Sequence, residues 1–134
     1  MSVYFLGALA AYVCIGLLLS IPLCIIAKGA PIPPQFGTGV ASWYGERERG
    51  LPMANGEPFD PDAMTCAAWD WPLGSVLSIS LPNRPAITVT VTDRGPAKRL
   101  HRAIDLSRKA FSCLAPLRVG LIHVEIELLK EGVK

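Results

Sequence analysis

No acidic or basic residue precedes Lys28 in this chain of 134 residues. That absence argues against a conventional secretory leader, in which Lys or Arg stands ahead of the apolar core. Residues 3–27 are near-continuous hydrocarbon, with Tyr4, Phe5, Leu6, Leu17, Leu18, Leu19, Ile21, Leu23, Ile25 and Ile26. Roughly 20 such residues in a helix cross a bilayer core. The length of the run favours an uncleaved transmembrane anchor over a signal segment removed after Ala27 or Ala30, and Cys14 and Cys24 read as membrane-buried thiols. Ligand spacings for zinc or calcium are missing, as is a glycine-rich phosphate loop, so no cofactor and no metal is expected. The formal net charge is only +2 and no basic stripe is interleaved with aromatics, which excludes nucleic acid as a partner. Internal repeats and low-complexity tracts are absent as well.

What remains reads as one domain behind one membrane-directed segment. Residues 1–27 are the anchor or signal, residues 28–38 a Pro/Gly linker (KGAPIPPQFGT), and residues 39–134 the domain. From Val40 the chain runs in short apolar or alternating stretches punctuated by Gly, Pro and Asn: VASWY, SVLSISL, AITVTVT and LIHVEIELL. In residues 86–92, Ile87, Val89 and Val91 alternate with threonines, the period of a strand with one buried face. In residues 121–129 the same period turns Ile122, Val124, Ile126 and Leu128 inward and leaves His123, Glu125 and Glu127 in solvent. One helix is expected after Ser107, a good N-cap, with Ala110, Phe111 and Leu114 on its apolar face and Pro116 ending it after Ala115. Short strands, one or two short helices and Gly/Pro turns predict an all-β fold, a small barrel without open edges.

Three groups stand out as carriers of chemistry: Ala41-Ser42-Trp43-Tyr44-Gly45, Ala54-Asn55-Gly56-Glu57 and Thr92-Asp93-Arg94-Gly95-Pro96, the last followed by Ile104-Asp105-Leu106-Ser107. Singly each is weak. An Asp-Arg-Gly-Pro after a strand serves equally as a turn in which Asp caps backbone amides, and Asn-Gly is a turn signal. Their order and spacing together resemble the RlpA-like double-psi β-barrel family, whose pattern runs ASWYG, ANGE, a Thr-Ala-Ala-His segment before Pro-Leu-Gly, DRGP and IDLS. The likeness extends from about Gly39 to Val124, with Pro72-Leu73-Gly74 and Gly120 also in place.

The resemblance implies a six-stranded double-psi β-barrel with a groove for the glycan strands of peptidoglycan, and, in active members, a lytic transglycosylase. Such an enzyme cleaves the MurNAc–GlcNAc linkage without water: one acid/base group protonates the departing oxygen, then takes a proton from the sugar's own hydroxyl as an anhydro ring closes. A carboxyl group of raised pKa suits that task. Position by position the family's acid/base aspartate falls on Asp93 and its second carboxylate on Glu57. One position departs. The segment reads Thr65-Cys66-Ala67-Ala68, with Ala68 where active relatives carry histidine, and a methyl group neither transfers a proton nor donates a hydrogen bond. His101 and Asp70 are weak substitutes. The alternative is therefore a barrel that binds peptidoglycan or another polysaccharide without cleaving it.

Around these carboxylates, Tyr44, Asn55, Arg94, Trp69 and Trp71 are candidate substrate-binding residues, since flat aromatic faces stack on sugar rings. Core packing is the competing reading for Trp69 and Trp71 and the preferred one for Trp43. Arg94, Lys98, Arg99, His101, Arg102, Arg108 and Lys109 form a basic cluster suited to an anionic wall polymer, or else a solvated surface. The fold analogy puts the domain on the periplasmic side of the cell envelope, anchored in the inner membrane or exported, against the weak cytoplasmic vote of a single Lys28. In that oxidising compartment Cys66 and Cys113 are expected to form a disulfide contributing roughly 3 to 4 kcal/mol, two free thiols being the alternative.

Overall fold

The computed structural model describes residues 32–133. The apolar run at residues 3–27 lies outside them, and among the described residues no helix is long and apolar enough to cross a membrane. The described residues form six strands, β1 (Phe36–Tyr44), β2 (Thr65–Ala67), β3 (Val76–Ser80), β4 (Ile87–Asp93), β5 (Ile104–Ser107) and β6 (Ile122–Lys130), with one α-helix, α1 (Arg108–Leu114), between β5 and β6. They close a barrel in the order β1-β5-β2-β4-β3-β6, and β6 returns to β1. The pairs β1/β5 and β2/β4 are parallel and the other four antiparallel, so the expected barrel is the observed one.

Alternation decides which side chains fill it. Ile122, Val124, Ile126 and Leu128 of β6 are buried and the residues between them exposed, His123 included. Leu77 and Ile79 of β3, Val89 and Val91 of β4, and Ile104 and Leu106 of β5 complete the lining. Phe111 and Leu114 project into this core from α1, which packs against β5, β1 and β4. The Ser107 hydroxyl accepts the Ala110 N–H at 3.2 Å, as an N-cap should, and donates to the Ala63 carbonyl at 2.6 Å. Ser107→Ala removes both bonds and is expected to cost about 1–2 kcal/mol. In a thermal melt followed by circular dichroism this corresponds to a Tm lower by roughly 5–15 °C; an unchanged Tm contradicts the double role.

Two expectations are corrected here. β1 begins at Phe36, paired with Glu127, so the strand starts inside the stretch read as linker. Gly37 and Gly39 are sites of close approach and not linker glycines: a Cβ at Gly37 would stand 3.2 Å from the Trp71 ring, and one at Gly39 only 2.5 Å from Ala103 Cβ. Cys66 and Cys113 are unbonded, the first buried in the barrel and the second exposed on α1. Side chains facing opposite environments do not meet, and the expected disulfide is absent.

Candidate active site

The site is set by an irregularity in pairing. Cys66 of β2 stands opposite Val91 of β4, but Ala67 stands opposite Asp93, so Thr92 is passed over in a β-bulge. Strict alternation would send Asp93 into the barrel with Val89 and Val91; the extra residue turns it to the outer face with Ala67. Ala67 is also opposite Asp105 on β5, and Asp105 is opposite Ser42 on β1. Asp93, Ala67, Asp105 and Ser42 thus form a row across four adjacent strands, and two carboxylates flank the Ala67 methyl about 10 Å apart at Cα. Gly95 folds down onto this row: a Cβ there would lie 3.4 Å from Ala67 Cβ and 3.8 Å from Asp105 Oδ2.

Asp93 is half-buried, and its oxygens are used unequally. Oδ1 accepts the Ala54 N–H at 2.9 Å and the Arg94 N–H at 2.8 Å. Oδ2 accepts no hydrogen bond from the described residues. The same amide contact pins the loop that carries Glu57, assisted by the Asn55 N–H donating to the Thr92 carbonyl at 3.1 Å. Asn55 Oδ1 accepts the Glu57 N–H at 3.0 Å, closing the turn, so Asn55 shapes the loop. Glu57 itself is exposed and in no ion pair among the described residues. Asp105 accepts the Ser42 hydroxyl and pairs with Arg102 at 3.5 Å. Sequence reasoning noted Asp105 as part of a motif but gave it no role; its place opposite the Thr-Cys-Ala-Ala segment follows only from the parallel and antiparallel pairings of β2.

The candidate binding residues divide. Trp69 is 48% exposed, its Nε1 donating to the Pro96 carbonyl at 2.7 Å. Trp71 is 2% exposed and donates to the Pro34 carbonyl at 2.8 Å, which favours the packing reading for most of its ring. Tyr44 stacks on Phe59 with ring centroids 4.2 Å apart, and its hydroxyl is buried without a partner among the described residues. Burial first, and then the negative charge of Asp93, push the phenol upward, so it stays protonated; the half-buried ring also lines a cleft of about 420 Å³ with Trp43, Glu46 and Arg108. Arg94 is a clamp: one guanidinium nitrogen donates to the carbonyls of Ala68 and Trp71, both at 2.7 Å, holding the loop between β2 and β3. Trp69, Asp70, Trp71, Pro72, Leu73 and Arg94 line a cleft of about 360 Å³ beside the Asp93 loop.

Ala68, at the position where histidine was expected, is fully buried, and its N–H donates to the Asp93 carbonyl at 3.2 Å. His101 is exposed, and neither it nor His123 hydrogen-bonds to Asp93 or Glu57. Burial pushes the Cys66 thiol up, the opposite of an activated nucleophile. Trp43 is half-buried against the core and donates to the Leu117 carbonyl at 3.1 Å, matching the packing role preferred for it.

A charge network braces the loop of residues 46–62 against the start of α1. Arg49 contacts Glu46, Asp60 and Asp62, and Arg108 contacts Glu46 and Asp62. Hydrogen bonds from Arg49, followed by the pull of Arg108, hold Glu46 and Asp62 below their ordinary values of 4.5 and 3.8. Lowered carboxyls stabilise the fold above those ordinary values, and the contribution disappears as the pH falls through the lowered ones. Arg49→Gln is therefore expected to lower the denaturation midpoint near pH 7 and to lose its effect near pH 2. A gap that persists in acid contradicts the assignment.

Comparison with known proteins gives this geometry its setting. The sequence profile of the family described as lytic transglycolase matches residues 37–126. The chain belongs to the lytic transglycolase family. The Campylobacter jejuni endolytic peptidoglycan transglycosylase RlpA is 37% identical over 95 residues, 70% of this chain and 34% of that protein. The probable endolytic peptidoglycan transglycosylase RlpA of Treponema pallidum is 38% identical over 103 residues, 76% of this chain and 31% of that one. This lytic transglycolase domain thus spans about a third of the length of those relatives. Among solved structures, the Streptomyces papain inhibitor superposes with a TM-score of 0.58 at 28% identity, covering 73% of this chain and 97% of its own. A Clavibacter michiganensis expansin variant in complex with cellohexaose gives 0.55 at 19% identity, covering 74% of this chain and 52% of that one, a likeness of fold.

Proposed function

We propose that this barrel cleaves the glycan strands of peptidoglycan as a lytic transglycosylase, with Asp93 as its acid/base. The proton is transferred through Oδ2, the oxygen free of backbone amides. It passes to the glycosidic oxygen as the bond from the MurNAc anomeric carbon breaks. A hydroxyl of the same MurNAc then bonds to that carbon and returns its proton to Asp93, so an anhydro end forms and no water is consumed. Glu57, on the loop pinned to Asp93, positions the sugar. The observation that carries the reading is the bulge that turns one half-buried carboxylate outward, beside a cleft with an exposed indole. The names of the relatives support the substrate. The domain works in the cell envelope on the periplasmic side, tethered or delivered by the apolar run of residues 3–27.

A second reading is favoured by one observation. Ala68 is a buried methyl group where the family pattern places histidine, and no imidazole takes its place by hydrogen bonding to Asp93. On that reading the barrel binds glycan without cleaving it. The full chain in a nonionic detergent, incubated with peptide-stripped glycan strands, separates the two. Anhydro ends in the mass spectrum support the enzyme; intact strands retained on the protein support the binder.

A further inference from the structure

The basic residues that follow Asp93 take no part in the proton transfer. Residues 97–101 are all exposed, and the ion pairs of the described residues use Arg49, Arg102 and Arg108 but neither Lys98 nor Arg99. Lys98 Nζ stands over the Trp69 ring, 5.4 Å from its centroid. The Trp69 indole is tied to the same arm through the Pro96 carbonyl. The neighbouring Ala68 is hydrogen-bonded to the Asp93 backbone, so this platform begins one residue from the strand end that carries the carboxylate.

We infer that Trp69, Lys98 and Arg99 form a subsite for a sugar that bears a carboxylate, so that the groove prefers acidic glycan to neutral glycan. The inference rests on the glycan reading above. A neutral sugar stacking on the face of Trp69 that carries Lys98 displaces the ammonium and offers it no counter-charge. An acidic sugar keeps Lys98 as its counter-ion, and Arg99, the next residue along, adds a forked donor. Asp70, exposed on the wall of the adjoining cleft, opposes an anion placed deeper and confines the preference to the arm. Peptidoglycan offers such a carboxylate from two sources, the lactyl ether of MurNAc and the stem peptide; a GlcNAc homopolymer offers none.

Each exposed charge contact changes affinity by a factor of roughly 2 to 5, so two give about tenfold at low salt. The test is equilibrium binding to the full chain in nonionic detergent, carrying Asp93→Asn so that strands stay intact. The probes are peptide-stripped strands, peptide-bearing strands and GlcNAc oligomers of matched length. The expected result is about tenfold tighter binding of an acidic probe than of the neutral one, abolished by Lys98→Gln with Arg99→Gln and largely screened at about 0.5 M salt. Preference for stripped strands assigns the contact to the lactyl group, and preference for peptide-bearing strands alone assigns it to the stem. Equal binding of all three, or a preference that survives the double substitution, overturns the inference. Its failure is distinct from that of the proposed activity, because absence of anhydro ends with an intact charge preference removes only the enzyme.

Discussion

Asp93→Asn is expected to lower the rate of anhydro-end formation by about 10²- to 10⁴-fold, the usual contribution of a positioned acid/base group. The Tm should barely move. The substitution exchanges one carboxylate oxygen for an amide group but keeps an acceptor at Oδ1, where the Ala54 and Arg94 amides converge. Only the proton carrier at Oδ2 is lost. Asp93→Ala separates the two jobs of this side chain, because it also strands both amides and releases the loop of residues 53–57. It should therefore fall below the Asn variant in stability, by about 1–3 kcal/mol for the unsatisfied donors, while showing no further loss of rate. Cleavage assays read beside thermal melts on the three proteins check both statements. Wild-type turnover in Asp93→Asn removes Asp93 from the chemistry.

Phe111→Ala should produce the largest loss of stability in the domain. The ring is fully buried and is contributed by α1, which packs against β5, β1 and β4, to the same core as Val89, Val91, Ile104 and Leu106. Truncating a buried aromatic costs about 3–5 kcal/mol, from lost transfer energy and the cavity left behind. For a domain of this size the Tm falls by roughly 15–30 °C. The Asp93 row lies on the outer face of β4, β2, β5 and β1 and does not include Phe111. The variant should therefore retain normal cleavage per folded molecule at low temperature. A loss below about 1 kcal/mol would mean that the helix is not closing the core.

Much of this architecture was legible from alternation and capping. Strands β3, β4 and β6 are long enough for a period of two to show, and Ser107 with Pro116 brackets the helix. Strands β2 and β5, of 3 and 4 residues, are too short to display a period. Their pairing is dictated by long-range closure of the barrel, and so is the meeting of Asp93 and Asp105 across Ala67. The bulge at Thr92 was hidden for a related reason: Ile87, Val89 and Val91 announce regular alternation, and only the partner strand reveals the extra residue. Trp71 and Trp69 are a single residue apart and chemically identical. One fills the space above Gly37, and the other lies on the surface beside Lys98. No local pattern separates them. Arg94 has a second job that its place beside a candidate acid does not announce, because one of its guanidinium nitrogens holds two loop carbonyls while the side chain also lines the cleft.

The most direct test of the account is the mass of the reducing ends released from peptide-stripped glycan by the wild-type chain and by Asp93→Asn. The account predicts ends that lack the elements of water from the wild type, and almost none from the variant. Ends that have gained water, or anhydro ends formed equally by both proteins, would contradict it.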